Sequence, residues 1–150
     1  MLRKVFTVAE ANAFLPDARR VLARVRAAGA AARRRADRIA VLGVLWGERV
    51  RDPSHTDHAE LRRHGAALER IRRRVEGLVR RRLTARGIRF PPGGIEHGLL
   101  DFPSTLDGRA IYLCWQLGEE QVAFWHDLQA GFAGRRPITT AQAARIGKRS

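Results

Sequence analysis

Three groups of side chains in this 150-residue chain have the types and spacing to do chemistry. The first is arginine: Arg33-Arg34-Arg35 with Arg38, and Arg72-Arg73-Arg74 with Arg80 and Arg81. A guanidinium presents five fixed donors that match a phosphate. Clusters of this density point to a polyanion. RNA or a ribonucleoprotein suits them better than duplex DNA, because no helix-turn-helix or zinc-finger pattern accompanies them. The second group is Asp101, Glu119, Trp125, His126 and Arg135, with His97 and Asp127 near. Histidine with carboxylates is a donor set for a divalent metal, and Trp, His and Arg gathered in so little sequence also suit a small ligand pocket. The third is Asp57, Glu60 and His64, at i, i+3 and i+7 on one helix face, with His55 and His58 near. It is metal-like in composition only, since the helix dipole already accounts for acidic groups at a helix start.

Each group also has a plainer explanation. The arginines can form a solvated helical surface, partly compensated by Glu69 and Glu76. Asp101 can cap a turn, and His126 can hydrogen-bond at a sheet edge. Strand parity separates the two: His126 falls on a face with Val122 and Phe124, while Asp101 and Asp127 fall on the other with His97 and Cys114. A one-residue slip would reverse the Asp101 and His97 assignments. Cys114, the single cysteine, lies mid-strand without a basic neighbour in sequence and reads as core rather than nucleophile. Residues 131–137 lack the Gly-Lys-Ser/Thr ending of a phosphate loop and read as a loop pinned by Phe132. Arg135 within it can pair with Glu119 or Asp127, or reach an anion. No Ser/His/Asp arrangement is visible, and the sequence leaves open whether the protein is an enzyme.

These groups must be positioned by two kinds of element. Thr7 and Glu10 have capping-box spacing, which predicts a short helix over 8–14. Pro16 then starts a new helix or kinks this one. From 15 to 46 an apolar stripe alternates three and four: Leu15, Ala18, Leu22, Val25, Gly29, Ala32, Ala36, Ile39, Gly43, Trp46. Gly47 and the 51–54 cluster end it. Ser54 and Asp57 start a second helix, striped by Leu61, His64, Leu68, Ile71, Val75, Leu78 and Arg82, which 84–87 closes. An antiparallel pairing of Trp46 with Leu61, Gly43 with His64, Ile39 with Leu68 and Ala32 with Val75 sets small residues against large ones, and brings the two Arg triplets to one level. A break near Gly29 is the alternative.

After Gly87 the pattern changes to strands at 95–102, 109–116 and 121–127, with a turn over 103–108 and a second turn around Gly118. Ile111, Leu113, Trp115, Val122 and Phe124 would face the helices. The expected fold is α+β: a long antiparallel helical hairpin, with a short N-terminal helix, packed on a small three-stranded antiparallel β-meander. It is expected as a single domain over 1–150, with the hairpin over 1–86, the meander over 87–137 and a tail over 138–150 that forms one helical turn or frays.

Composition bounds the function. The net charge is +14, of which +13 precedes Gly87. One cysteine allows no internal disulfide, and no apolar run is long enough for a signal peptide or a membrane span, so a cytoplasmic location is expected. Residues 99–103 (Leu-Leu-Asp-Phe-Pro), 112–115 (Tyr-Leu-Cys-Trp), Gly118-Glu119, Trp125-His126 and 131–135 (Gly-Phe-Ala-Gly-Arg) resemble the C-terminal signature of an uncharacterised bacterial family, domain of unknown function 2203 (DUF2203). Residues 6–16 resemble that family's opening. The Arg-rich middle departs from it. The resemblance covers essentially the whole chain and brings no activity with it. The resulting expectation is a non-catalytic binding protein whose Arg-rich hairpin contacts RNA or a ribonucleoprotein. The alternatives are a metal- or ligand-binding protein with its site in the sheet, holding a divalent metal, and a helical oligomerisation module, since seam positions can also pair in a homodimer.

Overall fold

The computed structural model describes residues 5–148, so the last two residues of the expected tail lie outside the described residues. The N-terminal capping box is formed: the Thr7 N–H donates to Glu10 Oε1 at 3.0 Å, and the Glu10 N–H to Thr7 Oγ1 at 3.1 Å. The helix it starts does not stop at Phe14. Helix α1 is continuous over Val8–Trp46, through Pro16 and Gly29, which corrects the expected separate N-terminal helix. Proline removes one i→i−4 bond, to the Asn12 carbonyl, but its fixed φ is helical. Ala11, Phe14, Leu15 and Ala18 are buried on both sides of it, and that burial holds the helix through the lost bond. Asn12 is tied down otherwise: its Oδ1 accepts the Val122 N–H at 2.7 Å. Gly47, at φ 59, ends α1 in a 3-10 turn, and helix α2 follows over His58–Arg82.

The chain divides into two compact units, one of Met1–Leu22 with Val79–Ser150, the other of Ala23–Leu78. Both long helices contribute to both.

The first unit holds an antiparallel sheet of four strands, not three, in the order β1 (Leu99–Leu106), β2 (Arg109–Gln116), β3 (Phe124–Asp127) and β4 (Arg136–Pro137). The two residues of β4, which the sequence marks as loop, pair with Phe124 and Trp125. Strand β1 begins four residues later than expected and contains Pro103. The Pro103 carbonyl accepts the Phe6 N–H at 2.9 Å, so this residue's backbone points away from β2, where a missing donor costs the ladder nothing. The β1–β2 turn shrinks to Asp107-Gly108, at φ 50 and 81, the left-handed pair a two-residue hairpin needs. The β2–β3 loop, by contrast, is longer than a two-residue turn and spans 117–123, with Gly118 at φ 108.

One sheet face is apolar. Leu100, Phe102, Leu106, Ile111, Leu113, Trp115 and Trp125 are buried there. Phe102 meets Phe6 and Phe14 edge-on, with centroids 5.3 and 6.3 Å apart, and the Arg19 guanidinium lies 5.8 Å from the Trp115 ring centre. Phe124, expected on this face, lies on the other; Trp125 takes its place opposite Leu113. Helix α3 (Thr140–Ala143) is the expected single turn, with its own capping box between Thr139 and Gln142.

The second unit is the pair of antiparallel helical segments. Its register differs from the expected one. Trp46 Nε1 donates to Asp57 Oδ2 at 2.8 Å, one turn short of Leu61, and His64 meets Arg35 rather than Gly43. These contacts lie one and about two turns from the expected partners, and a three-four stripe looks much the same after such shifts, so the polar pairs choose among registers that apolar spacing leaves equivalent. No described helix is long and apolar enough to cross a membrane.

Two outcomes follow from these contacts. Asn12→Ala leaves the Val122 N–H without its acceptor and lowers stability by about 1–2 kcal/mol, read from chemical denaturation. On α2, hydrogen bonds from Arg72 hold the Glu69 carboxyl at about 2, below its ordinary 4.5. Its stabilising contribution is therefore complete above 4.5 and is lost as pH falls from 4.5 through about 2. Far-ultraviolet circular dichroism should show a steeper acid loss of helix over that window in the wild type than in Glu69→Gln.

Candidate functional site

Two sites emerge, one in each unit. In the helical unit, Arg34, Arg35 and Arg38 of α1 and Arg70 and Arg74 of α2 line a groove of about 640 Å³, floored by Ala31, Ala67 and Ile71. Alanines at the crossing leave room that larger side chains would fill, and the long arginines form the rims. Asp37 is the one acidic residue in the lining. Part of the rim is locked. The Arg35 guanidinium can only donate, so His64 Nδ1 accepts from it at 3.1 Å. His64 Nε2 then faces Glu60 Oε1 at 3.4 Å, and Glu60 also accepts from Arg38 at 3.0 Å. These bonds, Arg38's first, hold the Glu60 carboxyl below its ordinary range. Among the described residues, Arg34, Arg70 and Arg74 have no carboxylate partner.

The structure sorts the sequence-predicted arginines. Arg34, Arg35, Arg38 and Arg74 reach the groove; Arg33 does not line it. Arg72 is held by Glu69 and Glu76, and Arg73 by Glu69, the plainer compensation expected of that surface. Arg80 and Arg81 are exposed and belong to the other unit. Arg70 was missed; its i, i+4 spacing to Arg74 was the available signal. Charge alone does not distinguish the units. The helical unit carries 14 basic and 7 acidic side chains and the sheet unit 15 and 8, so each is +7. What sets the groove apart is convergence. The Asp57, Glu60 and His64 group is absorbed into these hydrogen bonds, with Asp57 on Trp46.

In the sheet, register brings together what parity had separated. Asp101 lies opposite Cys114, and Tyr112 opposite His126, so all four share the face away from the apolar core. The expectation that His126 and Asp101 occupy opposite faces fails because an odd number of residues separates the paired Cys114 and Phe124, where a two-residue turn makes that number even. The donor atoms of Asp101, Cys114 and His126 lie within 4.8 Å of one another, and no other His, Cys, Asp or Glu cluster among the described residues could hold a metal ion. His126 is 2% exposed. Its Nδ1 lies 2.8 Å from the Asp127 carbonyl, which can only accept, so Nδ1 carries a proton. Nε2 therefore faces Asp101 Oδ1 at 3.1 Å with one proton between them. Burial raises the Asp101 carboxyl above its ordinary value, against the His126 hydrogen bond that lowers it. Burial, then the Asp101 charge, pushes the Cys114 thiol up to about 12, so it is no nucleophile.

The remaining predicted residues surround this cluster unevenly. Arg135 is held bidentately by Glu119, at 2.9 and 3.0 Å, with its guanidinium 3.9 Å from the Phe124 ring centre and 4.2 Å from that of Phe132. It interacts with Cys114 as well. Glu119 also accepts the Gln116 N–H at 2.7 Å, so it closes the loop and anchors Arg135. Trp125 is not part of the site; it projects to the opposite face, where Arg136 stacks 5.3 Å from its ring centre and its buried Nε1 has no hydrogen-bond partner among the described residues. Cys114, read as core from sequence, is buried as expected yet stands among the donors.

No curated protein and no solved structure matches the chain. Residues 4–138 match the family described as an uncharacterized conserved protein. The resemblance carried by the 99–103, 112–115 and 131–135 motifs is thereby established: the chain belongs to the DUF2203 family.

Proposed function

We propose that this protein binds RNA through the arginine groove of its helical unit. The observation that carries this reading is the convergence of five arginines from two helices on one groove, with Asp37 the sole acid in the lining. Arg35 and Arg38 are pre-set by His64 and Glu60, which lowers the entropy lost when they meet phosphates. Arg34, Arg70 and Arg74 supply charge that no carboxylate offsets. A single strand is the better fit, because the described residues present no helix-turn-helix or zinc-finger element for a major groove. The reading is one of binding: the groove offers donors and charge, and His64 in its lining is engaged by Arg35 and Glu60.

The test is fluorescence anisotropy of a labelled single-stranded RNA with the full chain over a salt series. Each phosphate contact to a single strand contributes about 0.7 to the slope of log affinity against log salt. Substituting Arg34, Arg70 and Arg74 together by Gln should weaken binding severalfold at low salt and flatten the slope by about 2. The charge-matched variant Arg24→Gln, Arg26→Gln and Arg62→Gln, at exposed positions outside the groove, should lose far less. Equal losses in the two variants, or no loss in the first, would reject the groove.

A further inference from the structure

We infer that Asp101, Cys114 and His126 form a binding site for a divalent metal ion of the zinc class, coordinated by a carboxylate oxygen, Sγ and Nε2. The inference is independent of the groove.

Four features carry it. The three donors come from three adjacent strands and converge within 4.8 Å, an assembly set by backbone register rather than by mobile surface groups. Tetrahedral zinc, with bonds of about 2.0–2.3 Å, needs donors roughly 3.3–3.8 Å apart, so closure takes about 1 Å of side-chain movement. His126 is already oriented as a ligand. Its Nδ1–H donates to the Asp127 carbonyl, the partner that fixes the tautomer and leaves Nε2 for metal. Charge is the third feature: a dication bound here meets one thiolate, one carboxylate and one neutral imidazole, with the ligands' protons released to solvent, so the occupied cluster is neutral. Finally, Arg135, which interacts with Cys114, has its own charge matched by Glu119, so it neutralises nothing within the cluster and is placed to donate to a thiolate.

The mixed S, N, O set selects ions of zinc's borderline softness over magnesium or calcium, which take oxygen alone. Three protein ligands leave a fourth position. Asp101, at 16% side-chain exposure against 2% for His126, is the ligand nearest solvent, so that position is filled from its side by water or a small donor.

The experiment uses untagged full-length chain, stripped with chelator and titrated with Co²⁺. One equivalent should bind, giving thiolate-to-cobalt charge-transfer absorption and the strong visible bands of a four-coordinate ion, and Zn²⁺ should displace it. Cys114→Ser should lose the charge-transfer band. His126→Gln should bind at least ~100-fold more weakly, since even outer partners of a ligand are worth 10–100-fold. A second readout needs no variant: added Zn²⁺ should raise the thermal midpoint of the wild-type chain in proportion to the logarithm of its concentration. The inference fails if cobalt does not bind stoichiometrically, if the charge-transfer band survives Cys114→Ser, or if zinc leaves the wild-type midpoint unmoved. Any of these would leave Asp101 and His126 as a proton-sharing structural pair.

Discussion

Antiparallel register across β1, β2 and β3 is the constraint on which most of this structure depends. With Asp101 opposite Cys114 and Tyr112 opposite His126, period-two alternation sends Leu100, Phe102, Leu106, Ile111, Leu113, Trp115 and Trp125 to one face, while Phe124 falls on the other. The polar donors are sent to the other. Shifting one strand by a single residue would bury Asp101 under α1 and expose Phe102, so the core and the polar cluster are fixed together. The register is held at both ends, by the Asp107-Gly108 turn and by Glu119, which accepts from the Gln116 N–H and ties Arg135 across the loop.

Within the first unit, the N-terminal part of α1 and the residues just before it pack on the sheet through the same logic. Phe6 and Phe14 close over Phe102, and Asn12 bridges a helix residue to the backbone of Val122. Pro16 sits between these contacts. A lost helical bond is tolerated there because the surrounding side chains are buried on a common partner, an instance of tertiary packing overriding local preference.

The two polar sites differ in kind. The groove is an exposed convergence of charge, suited to a ligand large enough to touch several guanidiniums and sensitive to salt. The sheet cluster is small and largely buried, with Asp101 its most exposed member. Nothing in the chemistry of either requires the other, and the chain's even charge, +7 in each unit, shows that net charge is a poor guide to which surface acts.

Much of the fold was legible from sequence. The Thr7–Glu10 cap, the 15–25 part of the first stripe, the closing Gly47 and Gly87, and the alternation in β2 are local patterns, and local hydrogen bonding and burial periodicity decide them; further along, Ala36 and Gly43 of that stripe are exposed, while Leu42 and Ala67, off the stripes, are buried. So were the arginine clusters and the candidate histidine. Tertiary structure alone decided the rest. It set which helix turn faces which, because a periodic stripe is nearly degenerate under shifts of one or two turns and Trp46–Asp57 and Arg35–His64 break the tie. It made Pro16 an interior residue and turned 136–137 into a fourth strand, since both depend on partners far away in sequence. It brought Cys114 and His126 to one face, because loop length, which no local pattern fixes, sets the parity of one strand against the next.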